Sequence, residues 1–272
     1  MKLINQNFEI LEQKDFSIKG IKQFIERCGR VCYKSEDRIT DDSYEKFVNM
    51  LESRGHDRPL EFGTVHLKMI LPDFEGFIHS LLTIGMLNNI WIKHAYKGDV
   101  IYITTNYRYY LDIIKYFPNV KEFFTEEDNE YYPKRYTIHF ITSRGIMDEF
   151  RTHVGLSHLA ESTRYCNYSK DRFNNEITFI KPCWDIRGSN YIDHLEEAEW
   201  NYFRMLEKDW TPQQARELLP LAVKSELISC GFEDAWTNFF YRRCTKDAHP
   251  MAREIATSVQ NKFKELVTLI NK

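Results

Sequence analysis

The sequence predicts a mixed α/β or α+β fold, and three features of it carry that prediction. Residues 135–142, RYTIHFIT, alternate, with Tyr136, Ile138 and Phe140 on one face, as a half-buried strand requires. After Ser143 the period turns helical, because Ile146, Met147, Phe150 and Val154 can form one apolar stripe. Downstream of 190, helical patterns outnumber short strand-like runs, which is the composition of helices packed on a sheet.

Each element follows from local signals. Thr40-Asp41-Asp42-Ser43 reads as a helix start, with Tyr44, Phe47, Val48 and Leu51 at helical spacing and an end near Gly55. Residues 64–71, TVHLKMIL, partly alternate and read as a strand. Residues 73–134 hold YITTNYRYYLDIIKYF, a short strand followed by a helix, and the acidic run TEEDNE. They read as an insertion covering one side of the core in a single domain over 1–272. Glu149 and His153, four apart, share a second face of the helix after Ser143, and the polar stretch beyond it runs into a loop around 156–165. EITFIK at 176–181 reads as a short strand. Residues 190–208, 211–219, 234–246 and 250–270 read as helices, with Pro212 and Pro250 in first-turn positions.

Composition excludes several classes. With 43% hydrophobic residues the chain is globular rather than disordered. A net charge of −3 gives no electrostatic footprint for nucleic acid, although a few local arginines suffice for a small anion. The start MKLINQNFEI lacks the apolar core of a signal peptide, and runs such as IHSLLTIGML are too short to span a bilayer, so a cytoplasmic location without membrane partners is expected. Cys28, Cys32, Cys166, Cys183, Cys230 and Cys244 form neither a CxxC pair nor a zinc spacing and read as reduced thiols. His153, His158 and Glu161 lack a ligand pattern such as His-Glu-x-x-His, so no metal is expected.

The chemistry is concentrated in residues 149–168, EFRTHVGLSHLAESTRYCNY, which crowd Glu149, Arg151, His153, Ser157, His158, Glu161, Ser162, Arg164 and Tyr165 together. Arginine suits a phosphate because its planar fork donates two parallel hydrogen bonds. Ser162 and adjacent backbone amides can donate to the same group from a loop.

This stretch resembles the signature of the flavin-dependent thymidylate synthases. In that family an Arg-His-Arg triplet is separated by seven residues from a Ser, with Arg-Tyr two positions later. His153, Ser162 and Arg164-Tyr165 match, while Thr152 and Val154 occupy the positions of the two arginines. Gly55-His56, Pro59 and Leu60-Glu61 resemble the family's N-terminal region, with Phe62 in place of a His. TPQQARELLP resembles its Ala-Arg-x-x-Leu-Pro segment through Arg216, and WTNFFYRRCTKDAHP resembles a segment carrying Asn238 and Arg243. The interval of 27 residues between Arg216 and Arg243 also agrees. Ala160 and Phe232 are further departures, at positions where relatives have a carboxylate or amide and an Asn. The resemblance touches 30–71 and 135–256.

The resemblance implies a central, mostly antiparallel sheet flanked by helices. It implies methylation of dUMP at C5 to dTMP, with methylenetetrahydrofolate as carbon donor, NADPH as reductant and FAD as cofactor, in a homotetramer whose sites lie between subunits. Arg243 takes the catalytic position, stabilising negative charge as the uracil N3 ionises; a one-residue slip would give that role to Arg242. Glu149, Arg151, Thr152, Glu161, Ser162, Thr163, Arg164 and Arg216 fall at substrate-binding positions. His56, Arg58, His153, Val154 and Asn238 fall at cofactor-binding ones. The family carries its one-carbon unit on flavin rather than on a thiol, so Cys166 reads as structural. The altered arginines keep two alternatives open: a flavoenzyme acting at C5 of another pyrimidine nucleotide, and a paralogue that binds nucleotide or flavin without turnover.

Overall fold

The computed structural model describes residues 1–83, 86, 90–164, 166–170 and 173–270, with side chains as far as Leu266. The chain opens with strands β1 (Lys2–Ile4) and β2 (Asn7–Leu11), then helices α1 (Ile18–Tyr33) and α2 (Ser43–Ser53). A second sheet region follows: β3 (Thr64–Ile70), α3 (Leu71–Thr83), β4 (Ile92–Lys97), β5 (Val100–Asn106), α4 (Tyr107–Tyr116) and β6 (Phe124–Thr125). Then come β7 (Arg135–Ser143), α5 (Arg144–Phe150), β8 (Ser157–Ala160), β9 (Thr178–Ile180), α6 (Tyr191–Glu207) and α7 (Pro212–Ala215). The chain continues through β10 (Lys224–Phe232), α8 (Glu233–Arg243) and α9 (Pro250–Ile270). This is the expected α/β architecture of antiparallel sheets flanked by helices.

The principal sheet has the order β2-β7-β10-β8, antiparallel throughout, with β10 in its interior. Side chains of β10 alternate between two cores. Leu227 joins Ile138 and Phe140 beneath Met147, Phe150, Trp236 and Phe239 of α5 and α8. Ile228 and Cys230 face Phe24, Cys28 and Val31 of α1. Thus α1 covers one face and α5, α8 and α9 cover the other. The second sheet, β4-β5-β3-β6, has its own cluster around Leu67, Ile101 and Ile103. Residues 73–134 are therefore more than the strand and helix expected: they add strands to β3 and build a second layer. Arg135 ties the two sheets, its Nη2 donating to the Glu61 carbonyl at 2.6 Å and Nη1 to Thr64 Oγ1 at 3.1 Å.

Local signals explain most boundaries. Tyr44, Phe47, Val48 and Leu51 are the buried face of α2, as their spacing requires. The Ser143 hydroxyl caps α5 by accepting from the Ile146 N–H. Two expectations fail in this region. The helix stops at Phe150, so Val154 leaves the stripe and stands 80% exposed in the following turn. Residues 157–160 form strand β8 on β10 instead of continuing as loop. The 211–219 helix is also shorter: α7 ends at Ala215 and tightens into a 3-10 turn at Arg216–Leu218.

Close packing fixes the turn between α5 and β8. A Cβ on Gly231 of β10 would stand 2.6 Å from Leu156 Cδ2 and 2.9 Å from the Gly155 carbonyl oxygen. Gly155 itself has φ +94, in the left-handed region, and its face lies against Ala235 of α8. Gly231→Ala is expected to push this turn away from α8 and to cost about 1–3 kcal/mol, the range for overpacking. Thermal unfolding checks it; an unchanged Tm would contradict this packing.

Candidate active site

Arg243, in the last turn of α8, makes three hydrogen bonds to the segment after β7. Its Nε donates to His153 Nε2 at 2.7 Å, Nη1 to Glu149 Oε2 at 2.6 Å and Nη2 to the Glu149 carbonyl at 2.7 Å. The Arg243 side chain is 19% exposed, so the ion pair is shielded but reachable. Five N–H donors belong to a guanidinium, and two remain for a ligand. Glu149 also lines a cavity of about 320 Å³ with Ile146, Trp184, Tyr191, Leu221 and His249. That volume is at the lower end of the roughly 300–1,000 Å³ of small-molecule sites.

The histidines have defined tautomers. An arginine Nε always carries its proton, so His153 Nε2 accepts and the neutral ring bears its hydrogen on Nδ1. That Nδ1–H has no partner among the described residues. His158 Nε2 lies 3.2 Å from the His153 carbonyl and must donate to it, so its Nδ1 accepts from Ser229 Oγ at 2.9 Å. Burial, with the Arg243 guanidinium adding, lowers His153 to about 4. Burial also lowers His158 to about 4, outweighing its bond to the His153 carbonyl, with Arg58 and Arg151 pushing the same way. Both rings are neutral at physiological pH. His153 and Glu149 meet through Arg243 and a tight turn rather than on one helix face, because the helix has ended between them.

The neighbouring expected residues are placed differently. Thr152 Oγ1 donates to the Glu149 carbonyl at 2.7 Å, and Arg151 pairs with Asp148 at 3.1 Å. Asn238 is exposed and accepts from Arg242 Nε at 3.3 Å, so it partners Arg242 and not Arg243. His56, also exposed, meets the Tyr33 hydroxyl through Nδ1 at 3.1 Å.

A second group gathers beyond β8. Arg216 Nη1 donates to Thr163 Oγ1 at 3.0 Å, and the Ser162 amide donates to the Cys32 carbonyl at 3.4 Å. Arg164 is exposed beside them, and Tyr165 lies outside the described residues. Glu161 is turned inward, 2% exposed, with Lys224 Nζ at 3.3 Å and Lys34 Nζ at 3.8 Å. Lys34 Nζ also lies 2.5 Å from Glu226, which accepts from His139 at 2.8 Å. Burial opposes ionisation of Glu226, but the His139 bond and the Lys224 and Lys34 ammoniums hold its carboxyl well below the usual range. Cys166 donates to Glu161 Oε1 at 3.4 Å, and burial pushes its thiol up, which suits a structural thiol.

Sequence reasoning did not single out Glu61, although it noted the Leu60-Glu61 pair. Its carboxylate, 2% exposed, accepts from Ser157 Oγ at 2.5 Å and Arg108 Nη1 at 2.6 Å, with Arg58 at 3.5 Å. It ties β8 to the second sheet. Lys34 and Glu226 were missed as well, and His158, named among the polar residues of 149–168, was given no role. The only signal Glu226 offered was a carboxylate inside an otherwise apolar segment.

Residues 134–267 match the family model described as thymidylate synthase complementing protein. That segment belongs to this family. The match runs from the start of β7 into α9 and so takes in Glu149, His153, Arg216 and Arg243, while the second sheet lies outside it. No curated protein matches the chain. Among the described residues no cluster of His, Cys, Asp and Glu fits a metal ion, and no helix is long and apolar enough to cross a membrane.

Lowered histidines make stability depend on pH with a definite sign. Unfolded, His153 and His158 regain ordinary values of about 6.5. Between that and 4, the unfolded state binds more protons, so stability falls as pH drops through this window and is level above it. His66, lowered to about 4 by burial, adds in the same direction. The urea midpoint is expected to fall between about pH 7.5 and pH 5, and to fall less in His153→Gln. Parallel pH curves for the two proteins would contradict the neutral, buried His153.

Proposed function

We propose that this member of the family is a flavin-dependent thymidylate synthase, converting dUMP to dTMP with methylenetetrahydrofolate as carbon donor, NADPH as reductant and FAD as cofactor. The observation that carries the reading is Arg243, held by His153 and Glu149 beside the 320 Å³ cavity. A guanidinium fixed in a partly desolvated place stabilises negative charge developing on a uracil ring. It needs no reorganisation at the moment of reaction, because Glu149 and His153 already orient it.

The residues present suit a flavin. His153 offers an Nδ1–H with no partner among the described residues, Asn238 an exposed amide, and Val154 an exposed apolar surface. Together with His56 and Arg58 they are assigned to FAD, which when bound supplies the one-carbon and hydride transfer chemistry. Arg216, Thr163, Ser162 and Arg164 are assigned to the phosphate of dUMP, and Glu149, Arg151, Thr152 and Glu161 to shaping the substrate site around them.

Strand β8 separates the two groups by four residues, on the order of 13 Å at ~3.3 Å per residue. The reading includes a homotetramer in which one site takes its Arg243 end and its phosphate end from different subunits. Cytoplasmic location is part of the same reading.

One observation favours a second reading. Thr152 turns back to the Glu149 carbonyl and Val154 is bare, so neither position supplies a guanidinium. A paralogue that binds nucleotide or flavin without turnover, or a flavoenzyme for another pyrimidine nucleotide, would show this.

An assay of dTMP formation with dUMP, FAD, methylenetetrahydrofolate and NADPH separates the readings. Turnover is expected, and Arg243→Ala is expected to reduce it about 10²–10³-fold, more than it weakens dUMP binding. Flavin and dUMP binding with no dTMP would establish the second reading instead. Calorimetry tests the phosphate end: Ser162→Ala and Arg164→Ala are expected to weaken dUMP more than deoxyuridine. Equal losses for the two ligands would contradict the assignment.

A further inference from the structure

The family signature places two arginines beside its histidine, and here those positions are Thr152 and Val154. Arginines nevertheless surround the histidine pair from other elements. Arg243 bonds His153, whose carbonyl holds His158. Arg242 precedes Arg243 on α8. Arg151 closes the helix before the turn, and Arg58 lies against Glu61, which holds Ser157 next to His158.

These cations are not equally committed. Arg243 is neutralised by Glu149 at 2.6 Å and Arg151 by Asp148 at 3.1 Å. Arg58 shares the buried carboxylate of Glu61 with Arg108. Arg242 differs: among the described residues its side-chain partner is the neutral amide of Asn238, and none of their carboxylates lies within ion-pair distance.

Helix geometry puts Arg242 in a useful place. Ala235, Asn238 and Arg242 recur at three and four residues, so they form one stripe along α8. Ala235 is where Gly155 packs, with 3.2 Å between its Cβ and one built on Gly155. The stripe therefore runs alongside the turn that exposes Val154. Phe239, beside it, packs edge-on against the His153 ring at 4.9 Å. Asn238 accepts from Nε and so orients the guanidinium while leaving its Nη donors open. A fork held in this way matches two oxygens of a phosphate.

We propose that Arg242, oriented by Asn238, is a phosphate-binding residue of this site and takes the diphosphate of a dinucleotide lying over Val154. It supplies from α8 the positive charge that Thr152 and Val154 do not supply from the turn. Arg151 and Arg58, paired with Asp148 and Glu61, do not supply that charge. The identity of the ligand as FAD rests on the proposed function; the anion site itself does not, because any nucleoside diphosphate presents the same group.

The test titrates three ligands into the full-length protein and into Arg242→Ala, Arg242→Lys and Asn238→Ala, by fluorescence or calorimetry. FAD has the diphosphate and the flavin, ADP has the diphosphate alone, and riboflavin has the flavin alone. Arg242→Ala is expected to weaken FAD and ADP about 10-fold or more, the effect of one charge-assisted bond, and to leave riboflavin unchanged. Arg242→Lys keeps the charge without the fork and should recover part of the loss, while Asn238→Ala should weaken FAD and ADP less than Arg242→Ala does. Arg242 is exposed, so Tm should stay at the wild-type value in its variants. Binding of ADP but not of riboflavin or FAD by the wild type would refute the flavin reading and keep the anion site. Unchanged FAD and ADP affinities in Arg242→Ala, or an equal loss for riboflavin, would overturn the proposal, as would a wild type that binds neither FAD nor ADP.

Discussion

The site depends on one contact: the Arg243 guanidinium against the unprotonated Nε2 of His153, at 2.7 Å in a half-buried place. A protonated imidazole there would set two cations against each other in a desolvated pocket, so the ring must stay neutral. Neutrality settles the tautomer, and the tautomer directs a donor outward. The rest of the region serves this geometry. α5 stops at Phe150, so the next residues can turn. Gly155 adopts a left-handed conformation and lies close to α8, and His158 secures the turn by donating to the His153 carbonyl from strand β8.

Two buried charge networks hold that arrangement to the body of the protein. On the α1 face of the principal sheet, Lys34 and Lys224 neutralise Glu161 and Glu226, with His139 hydrogen-bonded to Glu226, beneath the loop that carries Ser162. At the edge, Glu61 joins β8, α4 and the turn before β3. Such pairs add little stability against an apolar alternative, but leaving one partner alone costs about 3–5 kcal/mol. Their consequence is specificity of position. The loop beyond β8 cannot shift without uncovering a carboxylate.

Much of this was legible in the sequence, and the failures have physical causes. The α2 stripe, the alternation of β7 and the start of α5 could be read because each rests on neighbouring residues and simple periodicity. The recurrence of His153, Arg216 and Arg243 in family order pointed to residues that the structure engages in paired contacts. β10 was invisible as a strand because Ser225, Glu226 and Ser229 break its pattern. Each is satisfied from far away in the chain, by Met147, by Lys34 and His139, and by His158. Glu61 was passed over for the same reason, since Ser157 lies 96 residues away. Val154 was misplaced because periodicity does not show where a helix stops. Long-range satisfaction of buried polar groups is the information a single local pattern lacks.

The central claim is that burial, with the Arg243 guanidinium, keeps His153 neutral and its proton on Nδ1, ready to donate to a ligand. The most direct measurement is a nitrogen NMR spectrum of histidine-labelled protein near neutral pH, assigned with His153→Gln. The account requires a neutral ring with hydrogen on Nδ1, and a shift of that resonance when flavin binds. An imidazolium, or a neutral ring protonated on Nε2, would contradict it.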